Sequence, residues 1–212
     1  MTILLVFLTA FGGIAAQQVA QGQAASLTLL QRATDPNPAL KSYTAAASLS
    51  ATLRGPLPVR KTFPGTVYYL RPNRKIELQN VPGPLSRFKE LAASAPSFEQ
   101  LTAQYSVTPR TDDGTVSTYS LVPKNAGSRV KSVTVTVGDA SAQVTQVEWL
   151  YTNGGKLSFN QQYSSVAGFE LPSKANIAAR FPGYSVDGVL TFSNYKPNAA
   201  VSPSVFVSPS PT

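Results

Sequence analysis

The chain of 212 residues contains no cysteine and no histidine, and these two absences exclude several kinds of chemistry. Without cysteine there is no thiol nucleophile, no disulfide framework and no N-terminal lipid-modified cysteine. Without histidine there is no Ser-His-Asp triad, no histidine-bound zinc and no histidine-ligated haem. A chain of this length buries a core of its own, so it needs no disulfide or metal to stabilise it. We therefore expect no cofactor and no metal site.

Charged residues are also few, since they make up 13% of the chain, which is low for a cytoplasmic protein. The balance is basic, because 18 Lys and Arg against 10 Asp and Glu give a net charge of +8. One stretch holds several cations and only one acid, Glu77: Arg54, Arg60, Lys61, Arg71, Arg74 and Lys75. Such a patch suits nucleic acid, anionic lipid head groups or an acidic partner, and a soluble surface with a basic bias explains it equally well. We expect no nucleic-acid partner.

The carboxylates form no clear catalytic pattern. A glycosidase needs two carboxylates that converge on one cleft. Glu77 and Glu148 lie within predicted strands and could converge, but solvent-facing charge explains them better. The Asp112-Asp-Gly114 sequence lacks the further oxygen ligands of a calcium loop and is typical of a hairpin turn, while the adjacent Ser173 and Lys174 point apart in a strand. We expect the chain not to be an enzyme.

The N-terminus carries a short apolar segment. Residues 3–16 read ILLVFLTAFGGIAA, which is shorter than the roughly 20 residues that a membrane span needs. A segment of this kind is typical of a secretory signal peptide, here with cleavage after Ala15, Ala16 or Ala24. No Lys or Arg precedes it, so a buried helix and a retained anchor stay open as alternatives. We expect residues 1–24 to be a signal peptide or N-terminal apolar segment and the protein to be exported, to the periplasm or otherwise.

Period-two alternation dominates the middle of the chain. From Tyr43 to Arg54 the odd positions are Tyr, Ala and Leu while most even positions are Thr or Ser, which predicts a long strand with one apolar face. The same alternation in residues 63–78, interrupted at Arg71-Pro-Asn73, predicts a hairpin. Further strands are predicted at Tyr105–Arg110, Val116–Val122, Val130–Val137, Val144–Tyr151, Leu157–Tyr163 and Tyr184–Tyr195. Because short turns connect them, neighbouring strands are expected to pair antiparallel.

Two short helices and two irregular segments complete the chain. Residues 26–33 have helical spacing and are followed by Asp35-Pro36, which ends a helix. Residues 97–104 begin with an N-cap Ser97 and have a glutamine three residues later, the pattern of a capping box. Residues 82–96 are rich in Pro and Ala, and residues 197–212 are predicted to be a Pro/Ser-rich disordered or extended tail. The main β domain is therefore expected at residues 25–196.

A sheet with many amphipathic strands must bury one face. Two short helices are too small to cover a sheet of about nine strands, which indicates a concave apolar surface partly open to a ligand. The alternation gives the candidate lining as Leu49, Leu53, Phe63, Val67, Tyr69, Ile76, Leu78, Val133, Val135, Val147, Trp149, Leu157, Phe159, Leu190 and Phe192. Plain core packing explains any one of these positions, so the hypothesis concerns the set. Strands that close on each other without a cavity are the alternative.

One run of residues resembles the LolA-like superfamily, which contains the outer-membrane lipoprotein carriers. A signal-like segment, a helix, Asp35-Pro36 and a strand that begins with Tyr43 are followed by GTVYYLRPNRKIEL at residues 65–78. The sharp part of the resemblance covers residues 41–80, and Phe169-Glu-Leu-Pro172 resembles the closing strands of the family. The resemblance implies an α+β, mainly antiparallel β fold: a strongly curved incomplete barrel, or half-barrel, with short helices that cover its concave apolar face.

The resemblance also implies a function. It implies an exported periplasmic carrier, a monomer, that binds the acyl chains of a lipid or lipoprotein in an apolar cavity and releases them to a membrane acceptor. Membrane-bound donor and acceptor proteins are the other expected partners. The ligand-gating motif of the dedicated carriers has no match here, so the superfamily fits better than the lipoprotein carrier itself. An envelope-stress or regulatory sensor module on the same fold and a ligand-free surface β protein are the alternatives.

Overall fold

The structure is a computed structural model that describes residues 27–54, 58–81 and 97–207. The expected signal segment at residues 1–24, the insertion at residues 82–96 and the end of the tail at 208–212 lie outside the described residues. No helix in the described ranges is long and apolar enough to cross a membrane.

In this part of the chain, ten strands form one antiparallel sheet that does not close. The strands are β1 (Ser42–Arg54), β2 (Val59–Leu70), β3 (Asn73–Leu78), β4 (Tyr105–Asp112), β5 (Val116–Pro123), β6 (Val130–Gly138), β7 (Gln143–Tyr151), β8 (Lys156–Val166), β9 (Phe169–Phe181) and β10 (Tyr184–Pro197). Their order in the sheet is β3-β2-β1-β10-β9-β8-β7-β6-β5-β4. The first hairpin and the following meander therefore join where β1 pairs with β10, and β3 and β4 are the edges.

The alternation of residue types in β1 explains its place in the sheet. Tyr43, Ala47 and Leu49 are buried, while Thr44 and Ser48 on the opposite face are partly exposed. Successive side chains of a strand point to opposite faces, so this strand has one apolar and one polar face. The predicted hairpin is confirmed by the pairing of β2 with β3, in which residue 70 faces residue 73.

Two helices accompany the sheet. Helical residues 27–34, here α1, precede Asp35-Pro36. Helix α2 (Phe98–Gln104) begins with the predicted capping box: the Ser97 hydroxyl accepts a hydrogen bond from the Gln100 amide at 3.2 Å, and the Gln100 side chain accepts one from the Ser97 amide at 3.1 Å. The capping box satisfies donors that the first helical turn leaves free.

The sheet is strongly curved. Arg74 lies on β3 and Phe192 on β10, three strands apart in the sheet order. In a flat sheet three strand steps of about 4.8 Å would separate the backbones of these two strands by about 14 Å. The ends of the two side chains nevertheless meet, since the Arg74 Cζ lies 5.6 Å from the centre of the Phe192 ring. The two side chains therefore converge over a concave face, and the architecture is the expected open half-barrel.

Two clusters of apolar side chains divide the core. The larger cluster joins β1, β2 and β3 to β8, β9 and β10, and the smaller cluster joins β5 and β6 to the helices through Leu30, Ala33 and Leu101. Within the described ranges, no helical residue belongs to the larger cluster. The two described helices therefore pack on the β5–β7 part of the sheet.

Strand β9 was not among the strands predicted from the alternation. Phe169–Phe181 is one continuous strand, and its first residues, Phe169-Glu-Leu-Pro172, were matched to closing strands through the resemblance. The pairing with β8 shifts register between Gln162 and Tyr163, beside Pro172. Such a shift lets a proline, which has no N–H to donate, stay within the sheet. The Tyr195 hydroxyl also donates to the Pro172 carbonyl, which holds this part of β9 against β10.

The beginning of the C-terminal segment makes contacts that the sequence did not predict. The Ser42 hydroxyl donates to the Ala199 carbonyl at 2.7 Å. A short 3₁₀ turn (Pro203–Phe206) follows, and the Lys75 ammonium group donates to the Val205 carbonyl at 2.6 Å. Residues 198–207 therefore lie along the ends of β1 and β3, and the Pro/Ser-rich disordered tail expected at residues 197–212 stays a prediction.

Candidate functional site

The strand register places all the predicted lining residues on one face of the sheet. Directly paired residues of an antiparallel sheet share a face. On β1, Leu49 pairs with Phe63 of β2 and with Leu190 of β10. The same phase continues through the pairs Leu190–Ala175, Ile177–Phe159, Phe159–Val147 and Val147–Val135. We call this surface, which runs from β3 to β6, the apolar face.

Most of the predicted residues are closely packed on that face. Buried members are Leu49, Phe63, Val67, Ile76, Leu78, Val133, Val135, Leu157, Phe159, Leu190 and Phe192. Tyr69, Val147 and Trp149 are partly buried, and Leu53 is 44% exposed and belongs to neither cluster. The structure therefore brings fourteen of the fifteen predicted residues into the two clusters and leaves Leu53 at the end of β1. Their role in binding a ligand stays a prediction.

Trp149 links the two clusters. It packs against both of them, and its ring meets the Phe159 ring edge-on at 5.6 Å. Its neighbours across the strands are Val133 and Leu157, one from each cluster. The only tryptophan of the chain thus reports on the centre of the apolar face.

One end of the apolar face is open to solvent. Leu53 pairs with Val59, and these side chains are 44% and 50% exposed. Nearby at the same end, Tyr184 is 38% exposed and stacks on Phe181 with ring centres 5.2 Å apart. We call Leu53, Val59 and Tyr184 the open rim, because large apolar side chains there are accessible.

Two grooves among the described residues lie on the opposite, polar face. One groove, with a volume of about 330 Å³, is lined by Ser50, Thr52, Asn176 and Asp187 among others. A second, of about 220 Å³, is lined by Thr44, Thr66 and Lys196 among others. Thr44, Ser50 and Thr52 alternate with Leu49 along β1 and therefore point to the other face. Thr66, Asp187 and Lys196 pair with β1 residues of that face, and Asn176 pairs with Val189, the partner of Ser50. Neither groove is lined by one of the predicted lining residues.

The other end of the apolar face is aromatic and carries a cation. The rings of Tyr43 and Tyr69 stack with centres 5.0 Å apart, and Tyr195 meets Tyr43 edge-on at 5.3 Å. Arg74 pairs with Tyr69 across β2 and β3, so its side chain has the phase of the apolar face. The sequence analysis counted Arg74 in a basic stretch, although its spacing from Ile76 and Leu78 is the signal that places it on this face.

The tyrosines around Arg74 are held neutral. Burial raises the pKa of Tyr163 to about 12, while the charge of Arg74 opposes that shift. Burial also raises the pKa of Tyr195 and of Tyr69. The Tyr163 hydroxyl donates to the Val144 carbonyl at 2.8 Å. Uncharged phenols therefore provide no counter-charge for the arginine.

The carboxylates considered as catalytic groups are engaged in surface ion pairs or turns. Glu77 pairs with Lys75 and Glu148 with Lys156, each at 2.8 Å, on strands that are far apart in the sheet order. The Asp113 carboxylate accepts hydrogen bonds from the Thr115 and Val116 amides at 2.9 Å, which lowers its pKa. The Asp112-Asp-Gly114 sequence is thus a hairpin turn, and no group of three potential metal ligands occurs in the described ranges.

The basic stretch does not form one patch. Arg54 lies at the open-rim end of β1, where it pairs with Asp187, which also pairs with Arg180. Arg71 lies at the opposite end of the sheet and pairs with Asp35 at 2.6 Å. Sequence proximity suggested a single surface, but the length of β2 separates these cations.

Comparisons with known proteins agree on the fold. No family model and no curated protein matches the sequence. The structure is similar to a LolA superfamily protein from Nitrosomonas europaea (TM-score 0.54, 10% identity, covering 86% of this chain and 97% of that one). It is also similar to a DUF1329 family protein from Desulfovibrio piger (TM-score 0.55, 14% identity, 87% and 96%).

A third solved structure extends this agreement. A domain assigned to an outer membrane lipoprotein-sorting protein from Vibrio parahaemolyticus has a TM-score of 0.59 and 13% identity, and the match covers 88% of this chain and 97% of that one. The class is therefore clear: this chain has a LolA-like fold, an open curved half-barrel, with two short α-helices among the described residues.

Proposed function

We propose that the protein is an exported, non-enzymatic carrier that binds the acyl chains of a lipid or lipoprotein on its apolar face and releases them to a membrane acceptor. The fold, and the assignment of one similar structure to lipoprotein sorting, support this function. Binding would be the whole chemistry of the protein, since nothing in the proposed cycle requires a bond to form or break.

One observation carries the proposal. The larger apolar cluster spans six strands of an open sheet, and neither described helix contributes to it. A soluble protein normally covers so large an apolar face with a second layer of structure. Among the described residues, the buried side chains of this cluster pack mainly against other strands, and such contacts can be exchanged for contacts with an acyl chain.

Binding and release then follow from burial of apolar area. Each methylene group removed from water contributes about 0.8 kcal/mol, so the favourable binding free energy of an acyl chain grows in proportion to its length. The open rim is the natural entrance, because Leu53 and Val59 already meet solvent and continue the apolar face. An acceptor that offers an equally apolar surface can remove the chain without any chemical step.

The direct test is native mass spectrometry of the protein purified from an expressing cell without delipidation. We expect adducts with the masses of lipids, and renewed adducts when delipidated protein is mixed with fatty acid or phospholipid. If neither the purified nor the delipidated and reloaded protein carries lipid, the proposal is wrong.

Two substitutions, each of which replaces an alanine by phenylalanine, locate the binding face. Ala51 pairs with Gly188 on the apolar face, and Ala178 pairs with Asp187 on the polar face. We expect Ala51→Phe to fill space beside the open rim and weaken fatty-acid binding about tenfold. Ala178→Phe should leave binding unchanged, and circular dichroism would verify that both variants are folded. Equal effects of the two substitutions would contradict binding on the apolar face.

A further inference from the structure

One partly buried cation on the apolar face, Arg74, forms no ion pair with any of the described residues. The Arg74 Nε atom is buried and has no hydrogen-bond partner. The ion pairs of the described residues involve Arg54, Arg71, Lys75, Lys156 and Arg180, not Arg74. The residue as a whole is only partly buried, but a buried nitrogen of a charged group is normally hydrogen-bonded, because leaving it unpaired away from water is costly.

The neighbouring side chains do not supply the missing partner. The Phe192 ring offers a cation–π contact at 5.6 Å. The nearby tyrosines are uncharged, and the Tyr163 and Tyr195 hydroxyls donate to the carbonyls of Val144 and Pro172. The surroundings thus favour a cation without neutralising it, which suits a site that receives an anion from elsewhere.

The neighbouring cations differ from Arg74 in this respect. Arg71 donates to the Asp35 carboxylate at 2.6 Å and to the Asn37 carbonyl at 2.9 Å. Lys75 has the opposite phase in β3, and it binds Glu77 and the Val205 carbonyl. Both of these side chains hold the structure together, whereas Arg74 has the phase of Ile76 and points over the apolar face.

We propose that Arg74 binds the anionic head group, a carboxylate or a phosphate, of an amphiphile whose acyl chain lies along the apolar face. This inference rests on the proposed function and adds the chemical class of the ligand and its direction. The guanidinium fork suits both anions, because each accepts two parallel hydrogen bonds. The chain would run from the tyrosines around Arg74 towards the open rim.

The dimensions of the face agree with this placement. Tyr43 lies near Arg74 and Leu53 lies at the open rim, ten residues apart on β1. At about 3.3 Å per residue this is about 33 Å. The acyl chains of one membrane leaflet span about 15 Å, half of the hydrocarbon core, so a single chain fits between the two ends.

The test compares amphiphiles that differ only in head-group charge. Delipidated protein is titrated with palmitate and with hexadecanol, and separately with a short-chain phosphatidic acid and the matching diacylglycerol, while Trp149 fluorescence is followed. We expect the wild type to bind at least one acid about tenfold more tightly than its neutral counterpart. The pair that shows the preference tells a carboxylate ligand from a phosphate ligand.

Two variants test the residue. Arg74→Gln should bind the acid and its neutral counterpart equally and should keep the affinity of the wild type for the neutral one. Arg74→Lys retains the charge without the fork and should keep part of the preference. Lys196→Gln is the matched control, because Lys196 pairs with Thr44 on the polar face at the same end of the sheet as Arg74 and is exposed; it should behave as the wild type.

The outcomes are distinct. A preference for the acid that survives in Arg74→Gln, or that disappears in Lys196→Gln instead, overturns the inference. Equal binding of charged and neutral amphiphiles by the wild type overturns it as well and leaves the proposed function intact. Failure of the folded wild type to bind any of the four amphiphiles counts against both. Near-ultraviolet circular dichroism verifies the fold of each variant, and Arg74→Lys serves if Arg74→Gln does not fold.

Discussion

At the scale of single residues, two leucines on the same face have very different surroundings. Leu157 is 1% exposed in the middle of the larger cluster, and Leu53 is 44% exposed at the open rim. Both have the same phase, since the pairing runs from Leu53 through Val186 and Ala179 to Leu157. Phase in a strand therefore gives the face of a residue but not its depth.

This difference gives a prediction for stability. Leu157→Ala should lower the free energy of unfolding by about 2–5 kcal/mol, because it removes buried methyl groups and leaves a cavity. Leu53→Ala should cost less than about 1 kcal/mol, since its side chain is already largely hydrated. Guanidinium chloride unfolding at constant pH measures both. Equal costs would mean that Leu157 is not packed as the structure shows.

The same reasoning shows what could be predicted from the sequence at this scale. Period-two alternation identified the apolar face because side-chain direction follows directly from strand geometry. Arg74 was missed because its charge drew attention to the basic residues around it in sequence. Its partners, Phe192 on β10 and Tyr163 on β8, are distant in the chain and meet it only through the curvature of the sheet.

At the scale of elements, helix α2 depends on its first residue. The side chains of Ser97 and Gln100 satisfy each other's backbone amides, and the helix places Leu101 in the smaller cluster. We predict that Ser97→Ala destabilises the protein by about 1 kcal/mol. Ser106→Ala, an exposed serine on β4, is the control and should be close to neutral. Thermal or denaturant unfolding would show the difference, and a neutral Ser97→Ala would contradict a role for the cap.

A second element-scale feature links three strands through one carboxylate. Asp187 on β10 pairs with Arg180 on β9 and with Arg54 on β1, and hydrogen bonding from Arg180 is the main cause that lowers the pKa of Asp187 below its usual value of 3.8. A carboxylate with a lowered pKa in the folded state contributes stability above its unfolded pKa and loses it as the pH falls through the folded value. The effect therefore lies below about pH 4.

Substitution at this carboxylate tests the linkage. Asp187→Asn should be less stable than the wild type at pH 7, and the difference should shrink as the pH falls below about 4. Because Asp187 is exposed to solvent, high salt should also reduce the difference. Arg180→Gln should remove much of the same pH dependence, because it removes the main cause of the shift. The measurement is the unfolding midpoint of the wild type and both variants from about pH 2 to about pH 7, a range that includes the usual pKa of an aspartate. A difference between wild type and variant that stays constant over this range would contradict the ion pairs.

Elements also differ in how far the sequence determined them. The capping box and the hairpin at Asp113 were predictable, because their hydrogen bonds join residues within three positions of one another. The continuous β9 was not, because Pro172 suggests a break and only the shift in β8 and the bond from Tyr195 accommodate it. The path of residues 198–207 depends on Ser42 and Lys75, which are far away in sequence.

At the scale of the whole molecule, the proposed function depends on the mismatch between the sheet and its two helices. The sequence indicated this mismatch from the number and length of its amphipathic strands. The structure adds where the described helices pack: α1 and α2 lie on the smaller cluster. The described buried residues of the larger cluster lie on strands, apart from Leu40 just before β1. The central claim is that acyl chains enter between the apolar side chains of the sheet.

Quenching of Trp149 by brominated acyl chains tests that claim most directly. Bromine quenches tryptophan at contact, and the only tryptophan of the chain lies between the two clusters on the apolar face. Dibromostearate added to the delipidated protein below its micelle concentration should quench Trp149 in a saturable manner, while stearate without bromine should compete and restore the fluorescence. Binding of the brominated chain without any quenching would place the ligand away from this face and contradict the account.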